Sequence, residues 1–192
     1  MDSVSTRELI LQLQSGSLDA LGKLYDNHNK MVYRTALAIT GDTDVAADLM
    51  QDVFLRLHRF AGRIEPERPL EPWLYRVTAN LSYSWVKRRR WLCHLEDIAE
   101  WFAGEKKKNP HHLAEAKEES RRISKAISIL PIQQRIVVVL YYINELSLQE
   151  IADILNVPLG TVKSRLHYGR RLLKKQLDFE GELLAEVLYE FT

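Results

Sequence analysis

The sequence predicts an all-α protein built from two small helical domains. Apolar residues recur about every three or four positions along most of the chain, which is the spacing of one helix face. A serine capping box in each half, at Ser5 and at Ser147, predicts a helix N-terminus there. Between the halves the pattern weakens into a polar, proline-containing stretch, as expected of a linker. We therefore assign domains to residues 1–91 and 123–176, a linker to 92–122 and an acidic tail to 177–192.

In the first domain, the predicted helices follow from caps, breaks and apolar faces. Ser5 and Glu8 form a capping box, and Gly16 is a helix stop. The loop 61–69 contains one glycine and two prolines and is not expected to be regular helix. Pro72 can occupy the first turn of the long helix that follows. Helices are expected at about 6–15, 18–25, 32–39, 44–60 and 72–90.

The second domain contains one ambiguous segment and one informative helix pair. Residues 136–143 have the β-branched and aromatic composition of a strand, but the preceding Leu130-Pro131 favours a helix start. A capping box at Ser147 opens the next helix, and Asn156-Val157-Pro158 predicts a tight turn into another. The apolar face of that last helix consists of Val162, Leu166, Gly169 and Leu173.

Composition and charge narrow the class of protein. The chain has 192 residues, a net charge of +1 and an ordinary globular composition. Its longest apolar run, 136–143, is far below the roughly 20 residues that span a bilayer, and its N-terminus lacks the features of a signal peptide. A single cysteine, Cys93, excludes an internal disulfide and a multi-thiolate zinc site. We expect a soluble cytoplasmic protein without membrane insertion, metal or cofactor, and no motif indicates an enzyme.

Positive charge is concentrated in two separate places. Residues 160–176 hold six basic side chains and no acidic one, and residues 87–90 form a second basic cluster. Two such patches in a nearly neutral protein indicate contact with a polyanion, although each could also be an ordinary solvated helix face. The capping box, the Asn156 turn and the acid-free second helix together favour a helix-turn-helix whose second helix enters the DNA major groove.

Two groups of residues resemble the two obligatory domains of bacterial sigma factors. The Leu130-Pro131 pair, Leu-Gln-Glu-Ile-Ala at 148–152 and Gly-Thr-Val-Lys-Ser-Arg-Leu at 160–166 are similar to the C-terminal DNA-binding domain of that family. Asp-Leu-Met-Gln-Asp-Val-Phe-Leu at 48–55, followed by Trp-Leu-Tyr-Arg at 73–76 and Asn80, looks like the other domain. In this order, and with a short linker, the pair resembles the smallest class, the extracytoplasmic-function (ECF, group IV) sigma factors.

This resemblance implies that the helix carrying residues 48–55 binds the clamp helices of the polymerase β′ subunit. Asp48, Gln51 and Asp52 stand at i, i+3 and i+4, so they form one polar patch that suits a basic partner helix. The role is carried over to these three residues and to Arg56. Without the family match, a solvated amphipathic face would be the simpler interpretation.

The resemblance also implies that the helix starting near Pro72, with the loop before it, captures the unpaired non-template strand of the promoter −10 element. A flipped base held by polar groups and aromatic rings, with basic residues on the backbone, is the expected mode of binding. The residues expected to do this are Arg76, Asn80, Ser84, Lys87 and Arg88, with Tyr75, Tyr83, Trp85 and Trp91 as available aromatics. Trp73 is expected in the core instead.

For the second domain the resemblance implies recognition of the −35 element as duplex DNA. The residues expected to contact it are Thr161, Lys163, Ser164, Arg165, His167, Tyr168, Arg170 and Arg171. Two positions depart from the usual family pattern: Ser84 stands where Asp or Asn is common, and Tyr168 where Arg is common, so the promoter sequence is not predicted. The implied partners are core RNA polymerase (β′ clamp helices and β flap), promoter DNA and an anti-sigma factor.

Other interpretations stay open at this point. A helix-turn-helix regulator that binds duplex operator DNA without acting as a polymerase subunit explains 129–176 but leaves the polar patch at Asp48 without a role. An all-helical adaptor for acidic proteins is a second alternative, and a metal or redox site at 93–94 and 111–112 is a third. As a further hypothesis, the tail, with five acidic residues and no basic one over 177–192, folds back on the basic helix and damps DNA binding.

Overall fold

A computed structural model of the chain describes the backbone of residues 5–100 and 125–178, and the side chains of residues 5–89 and 125–176. Every regular element in these ranges is helical, which confirms the all-α prediction. A short 3₁₀ turn at Ala61–Arg63 follows the third helix, and residues 125–129 are helical. The main helices are α1 (Thr6–Gln14), α2 (Leu18–Thr40), α3 (Thr43–Arg59), α4 (Glu71–Glu100), α5 (Ile132–Tyr142), α6 (Leu148–Leu155) and α7 (Leu159–Asp178).

Helix starts and stops follow the local signals in the sequence. At α1 and α6, the serine hydroxyl accepts from a backbone N–H three residues on, and the glutamate there accepts from the serine N–H. Asn156 ends α6 in the left-handed conformation, with φ 52° and ψ 52°, which asparagine tolerates better than most residues. The capping boxes and the Asn156 turn are therefore confirmed, and residues 136–142 are helix rather than strand.

Two predicted helix boundaries are wrong. The helices expected near 18–25 and 32–39 are one continuous helix, α2, because residues 26–31 contain neither glycine nor proline to interrupt it. Helix α4 continues to Glu100 instead of ending near residue 90, so the segment assigned as a linker begins as helix. No glycine or proline occurs between residues 90 and 100 either.

Helices α1 to α4 pack around one apolar core. Helix α2 lies at its centre and contacts the other three. The largest fully buried side chains of this core include Leu9, Leu24, Leu57 and Leu74. Trp73 packs half-buried against the same cluster, as predicted. Because the apolar side of α3 is used in this core, its opposite side faces solvent.

The second core unites the helix-turn-helix with part of the first domain. Helices α5, α6 and α7 supply most of its side chains, including the predicted apolar face of α7. Ile39 from α2 and Tyr75 and Ala79 from α4 belong to the same buried cluster. The two domains therefore pack on each other directly, through α2 and α4 against α5 and α6.

Within the second domain, α5 and α7 cross at Gly169. A Cβ atom at this position would lie 2.8 Å from Cγ2 of Val138 and 3.6 Å from Cβ of Gln134. The absence of a side chain lets the two helices approach closely, which fixes how α7 lies on α5.

We predict that Gly169→Ala lowers the free energy of unfolding by about 1–3 kcal/mol, because the added methyl group overpacks the crossing with Val138. Denaturant unfolding of the full chain measures this. Gly160→Ala is the matched control on the same helix: a Cβ there meets nothing within 4 Å, so a gain of about 0.5–1 kcal/mol is expected. Equal effects of the two substitutions would contradict the role of the crossing.

A second prediction concerns His28, which is buried in α2 with its Nδ1 3.9 Å from Oε1 of Glu71. Burial lowers the pKa of His28 below its ordinary 6.5, and the Glu71 carboxylate opposes that shift only in part. The unfolded chain therefore binds this proton more readily, so the His28 contribution to stability is present above pH 6.5 and is lost as the pH falls below it.

We expect His28→Gln to reduce the loss of stability between about pH 7.5 and pH 5.5, the interval around the ordinary pKa of histidine. Chemical denaturation at both pH values measures it. His58→Gln, on the exposed side of α3, serves as the control. If the pH dependence of the His28 variant equals that of the wild type, protonation of His28 is not the cause of the loss of stability.

Candidate nucleic-acid interface

The polar patch predicted on α3 lies on its solvent side. Asp48 and Gln51 are exposed, and Asp52 is half-buried with one carboxylate oxygen 3.4 Å from Nε of Arg56. The four predicted residues therefore share one exposed surface, which we call the α3 patch. It presents carboxylate, amide and guanidinium groups, which suits a protein partner of mixed polarity.

The α3 patch also contains an apolar residue that the sequence reasoning missed. Leu55 is 66% exposed and lies one helical turn beyond Gln51 and Asp52. The helical spacing in the sequence indicates this exposure, because Val53 and Leu57 lie on the apolar face of α3 and position 55 lies on the opposite side. Leu55 thus gives the α3 patch one exposed apolar side chain among its polar groups.

On α4, Arg76 is already engaged by the second domain. Its Nε donates to the carbonyl of Ile154 at 2.8 Å, and its Nη2 donates to the carbonyl of Asp153 at 2.7 Å. Both carbonyls belong to the last turn of α6, where they have no partner within the helix. The remaining predicted residues of this face, which we call the α4 face, are exposed: Asn80, Ser84, Lys87 and Arg88.

The aromatic side chains suggested for base capture differ in accessibility. Tyr75 is only 8% exposed and packs in the second core, so the expectation that it is available is wrong. Burial raises its pKa, and a hydrogen bond with Asn144 opposes that shift. Tyr83 and Trp85 are half-buried, and the guanidinium of Arg89 lies 5.1 Å from the Trp85 ring centre. The side chain of Trp91 lies outside the described residues.

A pocket of about 170 Å³ lies between the two domains, beside Asn80. Asn80 and Tyr83 line it from the first domain. Arg165 lines it from the second domain, and its Nη2 donates to Oε1 of Gln133 at 3.1 Å. A residue expected to bind −10 DNA and one expected to bind −35 DNA thus face the same small space.

Most residues predicted to contact −35 DNA share the outer side of α7. Lys163, Ser164, His167, Tyr168 and Arg171 are exposed, and Thr161 and Arg165 are half-buried. The Tyr168 ring lies 5.6 Å from the His167 ring and 5.6 Å from the Arg171 guanidinium. In the described part of the chain no carboxylate forms an ion pair with a basic residue of α7, so its positive charge faces solvent.

Arg170 differs from its neighbours because it supports the helix packing. Its Nε donates to the Tyr142 hydroxyl at 2.8 Å, and its guanidinium lies 5.4 Å from the Tyr141 ring centre. These contacts tie α7 to the end of α5. A phosphate contact by Arg170 would therefore compete with bonds inside the domain.

Several expectations concern parts of the chain that are not described. Cys93 and His94 lie where side chains are left out, residues 111–112 lie outside the described backbone, and so does the acidic tail beyond Asp178. Among the helices that the structure describes, none is long and apolar enough to cross a membrane. Within the same ranges, no three His, Cys, Asp or Glu side chains cluster as metal ligands would.

Comparison with known protein families identifies both halves of the chain. The family model for sigma-70 region 2 matches residues 24–92, and the model for sigma-70 region 4 matches residues 120–173. Among solved structures, CnrH in complex with the cytosolic domain of CnrY has the same fold, with a TM-score of 0.69, 24% sequence identity, and coverage of 92% of this chain and 99% of that chain.

Relatives of known family also match along most of the chain. The ECF RNA polymerase sigma factor SigW of Bacillus subtilis is 32% identical over 179 residues, which is 89% of this chain and 96% of that protein. The ECF sigma factor SigE of Mycolicibacterium smegmatis is 35% identical over 157 residues, 81% of this chain and 60% of that protein. With both sigma-70 regions in this order and a relative of this identity along nearly its full length, the chain belongs to the ECF RNA polymerase sigma factors.

Proposed function

We propose that this protein is an alternative sigma factor, which binds core RNA polymerase and directs it to a specific set of promoters. The observation that carries the proposal is the occurrence of sigma-70 regions 2 and 4 in one chain, each with its own candidate surface. A regulator that binds only duplex DNA needs α7 but has no use for the α3 patch. The protein acts by binding, without covalent catalysis, and we expect it to do so in the cytoplasm, with an anti-sigma factor as its regulator.

The α3 patch is the proposed contact with the β′ clamp helices of core polymerase. Its carboxylates and Gln51 suit a basic partner helix, and Leu55 supplies an apolar centre that loses contact with water on docking. The patch lies on the side of α3 that faces away from both apolar cores. Docking therefore requires no rearrangement of the first domain.

The α4 face is the proposed site for the non-template strand at the −10 element. Asn80 can hydrogen-bond a base edge, while Lys87 and Arg88 can hold phosphates. Opening the duplex needs no chemical step, because preferential binding of the unpaired strand shifts the equilibrium towards the melted state. In this proposal, the part of the α4 face near Asn80 binds a base, and the part near residue 88 binds the phosphates of the DNA strand.

Helix α7 is the proposed reader of the −35 duplex. A helix in the major groove presents its N-terminal side chains to base edges, and Lys163, Ser164 and His167 stand in that part of α7. Arg171, one turn further on, suits a phosphate. The exposed Tyr168 adds an apolar surface where the family commonly has an arginine, and it changes the promoter preference accordingly.

The direct test of the proposal is transcription from a library of promoter fragments by core polymerase together with this chain. Discrete start sites, each preceded by two shared sequence elements, are expected. Sequence-specific duplex binding by the chain alone, without core binding or start sites, would favour the helix-turn-helix regulator instead.

For core binding, we predict that Asp48→Arg combined with Asp52→Arg weakens the complex with core polymerase at least about tenfold, because like charges would then face the basic partner helix. Leu55→Ala should weaken it by a similar factor through lost apolar contact. Fluorescence titration of labelled chain with core polymerase measures both.

The control is Asp26→Arg, which makes half the charge change of the double variant, at an exposed position of α2 outside the α3 patch. We expect it to bind core polymerase as the wild type does. If Asp26→Arg weakens binding as much as the α3 substitutions, the effect comes from overall charge, and the α3 patch loses its assigned role.

For −35 recognition, we predict that Arg171→Ala weakens holoenzyme binding to promoter duplex and lowers the slope of log affinity against log salt by about one. That change is expected because the proposed contact of the Arg171 guanidinium is a phosphate. Lys30→Ala, at an exposed position on α2, should leave the slope unchanged. An unaltered slope in the Arg171 variant, with lower affinity for some sequences only, would assign Arg171 to base reading instead.

A further inference from the structure

Helix α1 holds the 3₁₀ turn that follows α3. Nε2 of Gln14 donates two hydrogen bonds to it, one to the carbonyl of Ala61 at 3.1 Å and one to the carbonyl of Ile64 at 2.8 Å. Because both acceptors are carbonyl oxygens, only the amide nitrogen can face them, which fixes the orientation of the Gln14 side chain. One side chain thus bonds the backbone on either side of Gly62 and Arg63.

Apolar burial gives these bonds a firm support. Helix α1 has three side chains that are almost fully buried in the first core: Leu9, Ile10 and Leu13. The turn contributes Ala61 and Ile64 to the same core. Burial therefore sets the position of α1 beside the turn. The Gln14 bonds then add a directional constraint that apolar contacts alone lack.

The turn has little internal support of its own. The Arg63 N–H donates to the Phe60 carbonyl at 2.9 Å. The Ile64 N–H donates to the Ala61 carbonyl at 3.0 Å. In the described part of the chain no backbone N–H donates to the Ile64 carbonyl, whereas Gln14 does. A glycine stands in the middle of the turn, where the backbone has the most freedom to lose, so the shape of the turn depends on the outside contact.

On its outer side the turn presents positive charge beside an aromatic ring. Phe60 is half-buried, and the guanidinium groups of Arg59 and Arg63 lie 5.7 and 5.4 Å from its ring centre. Both arginines are exposed, and within the described ranges neither forms an ion pair with a carboxylate. Arg63 stands between the two carbonyls that Gln14 binds, so the turn sets the direction of its side chain.

A second contact joins α1 to the later part of the loop. Nε of Arg7 lies 2.7 Å from Oε1 of Glu67, and both side chains are more than half exposed. An ion pair this exposed contributes little to stability. The loop between α3 and α4 is therefore held mainly at its start, by Gln14.

We propose that Gln14 is a positioning residue for −10 recognition: by fixing the 3₁₀ turn, it sets where Arg63 and the following loop meet the unpaired strand. The inference rests on the proposed function for the identity of that strand. Gln14 itself does not touch DNA. It orders the turn before the strand arrives, so that less of the protein is ordered on binding. The match to sigma-70 region 2 begins at residue 24, so α1 supports the turn from outside the matched region.

The first test uses Gln14→Glu, which keeps the size of the side chain but turns a carboxylate towards the two carbonyls. Amide hydrogen exchange of the full chain, resolved by NMR, reports on the turn. We expect the Arg63 and Ile64 amides to exchange about five- to tenfold faster, because the turn opens more often without the two bonds. The Phe60 amide, which donates to the carbonyl of Arg56 in α3, should keep its rate.

Gln12→Glu is the matched control, since it makes the same charge change on α1 at an exposed residue whose side chain makes no hydrogen bond to another described residue. It should leave the exchange rates as in the wild type. Gln14→Lys restores N–H donors, because an ammonium group carries three, and should return the rates close to those of the wild type. Arg7→Ala should change them by less than about twofold.

The second test measures −10 discrimination by the holoenzyme. Single strands carrying the −10 sequence of a promoter from the start-site library are compared with strands in which one base is substituted. We expect Gln14→Glu to lower the ratio of these affinities about fivefold, because a loosened turn holds each strand less selectively. Affinities for core polymerase and for −35 duplex should stay those of the wild type. A general loss of folded protein would lower all of these affinities together and leave the ratio unchanged.

The outcomes separate this inference from the proposed function. Unchanged exchange of the Arg63 and Ile64 amides in folded Gln14→Glu would overturn the role of the Gln14 bonds, whatever the chain does with polymerase. Faster exchange with an unchanged discrimination ratio would overturn the positioning role and leave the proposed function standing. A wild-type chain that gives no start sites with core polymerase would refute the proposed function and, with it, the promoter role of the turn. The exchange rates would still decide whether Gln14 holds the turn.

Discussion

The placement of the two domains depends on how the C-termini of α2 and α6 find hydrogen-bond donors. The last carbonyls of a helix have no partner in that helix, and a guanidinium group supplies several donors with a positive charge that matches the helix dipole. Here each guanidinium comes from the opposite domain, from Arg76 in one case and Arg135 in the other. Neither cap exists unless the domains meet. The same approach brings Ile39, Tyr75 and Ala79 into the second core, so charge and apolar burial favour one arrangement together.

The surfaces of the molecule divide by chemistry. The α3 patch combines acidic, amide and apolar groups, while the outer side of α7 is basic without a carboxylate partner among its described neighbours. The α4 face has an intermediate composition: it is polar near Asn80 and basic at Lys87 and Arg88. This division suits a protein that contacts another protein on one side and nucleic acid on two others.

Local features of the fold could be predicted from the sequence, and tertiary features could not. The Ser5 and Ser147 capping boxes and the left-handed Asn156 are short-range interactions, so neighbouring residues are enough to predict them. The two apolar faces at 18–25 and 32–39 predict two helices, whereas α2 is continuous because no breaking residue separates them. The site residues on α3 and α7 follow from helical spacing and from the resemblance to sigma factors.

The sequence pattern does not predict which residue a given side chain contacts in the folded protein. Arg76 and Arg170 look like free basic residues in a helical pattern, yet one caps α6 in the other domain and the other bonds the Tyr142 hydroxyl. Tyr75 has the spacing of an available aromatic, but the second domain buries it. Such contacts join residues more than 25 positions apart, and helical periodicity carries no information about them.

The close crossing at Gly169 has a consequence for how proteins of this fold diverge. Because Val138 lies where a side chain at 169 would go, α7 has little freedom to tilt or slide on α5. The orientation of α7 on α5 is therefore fixed. Under the proposed function, a new promoter preference arises when exposed side chains such as Lys163, His167 and Tyr168 are exchanged. A genome carrying duplicated copies of such a gene could separate their regulons through a few point substitutions on an unchanged scaffold.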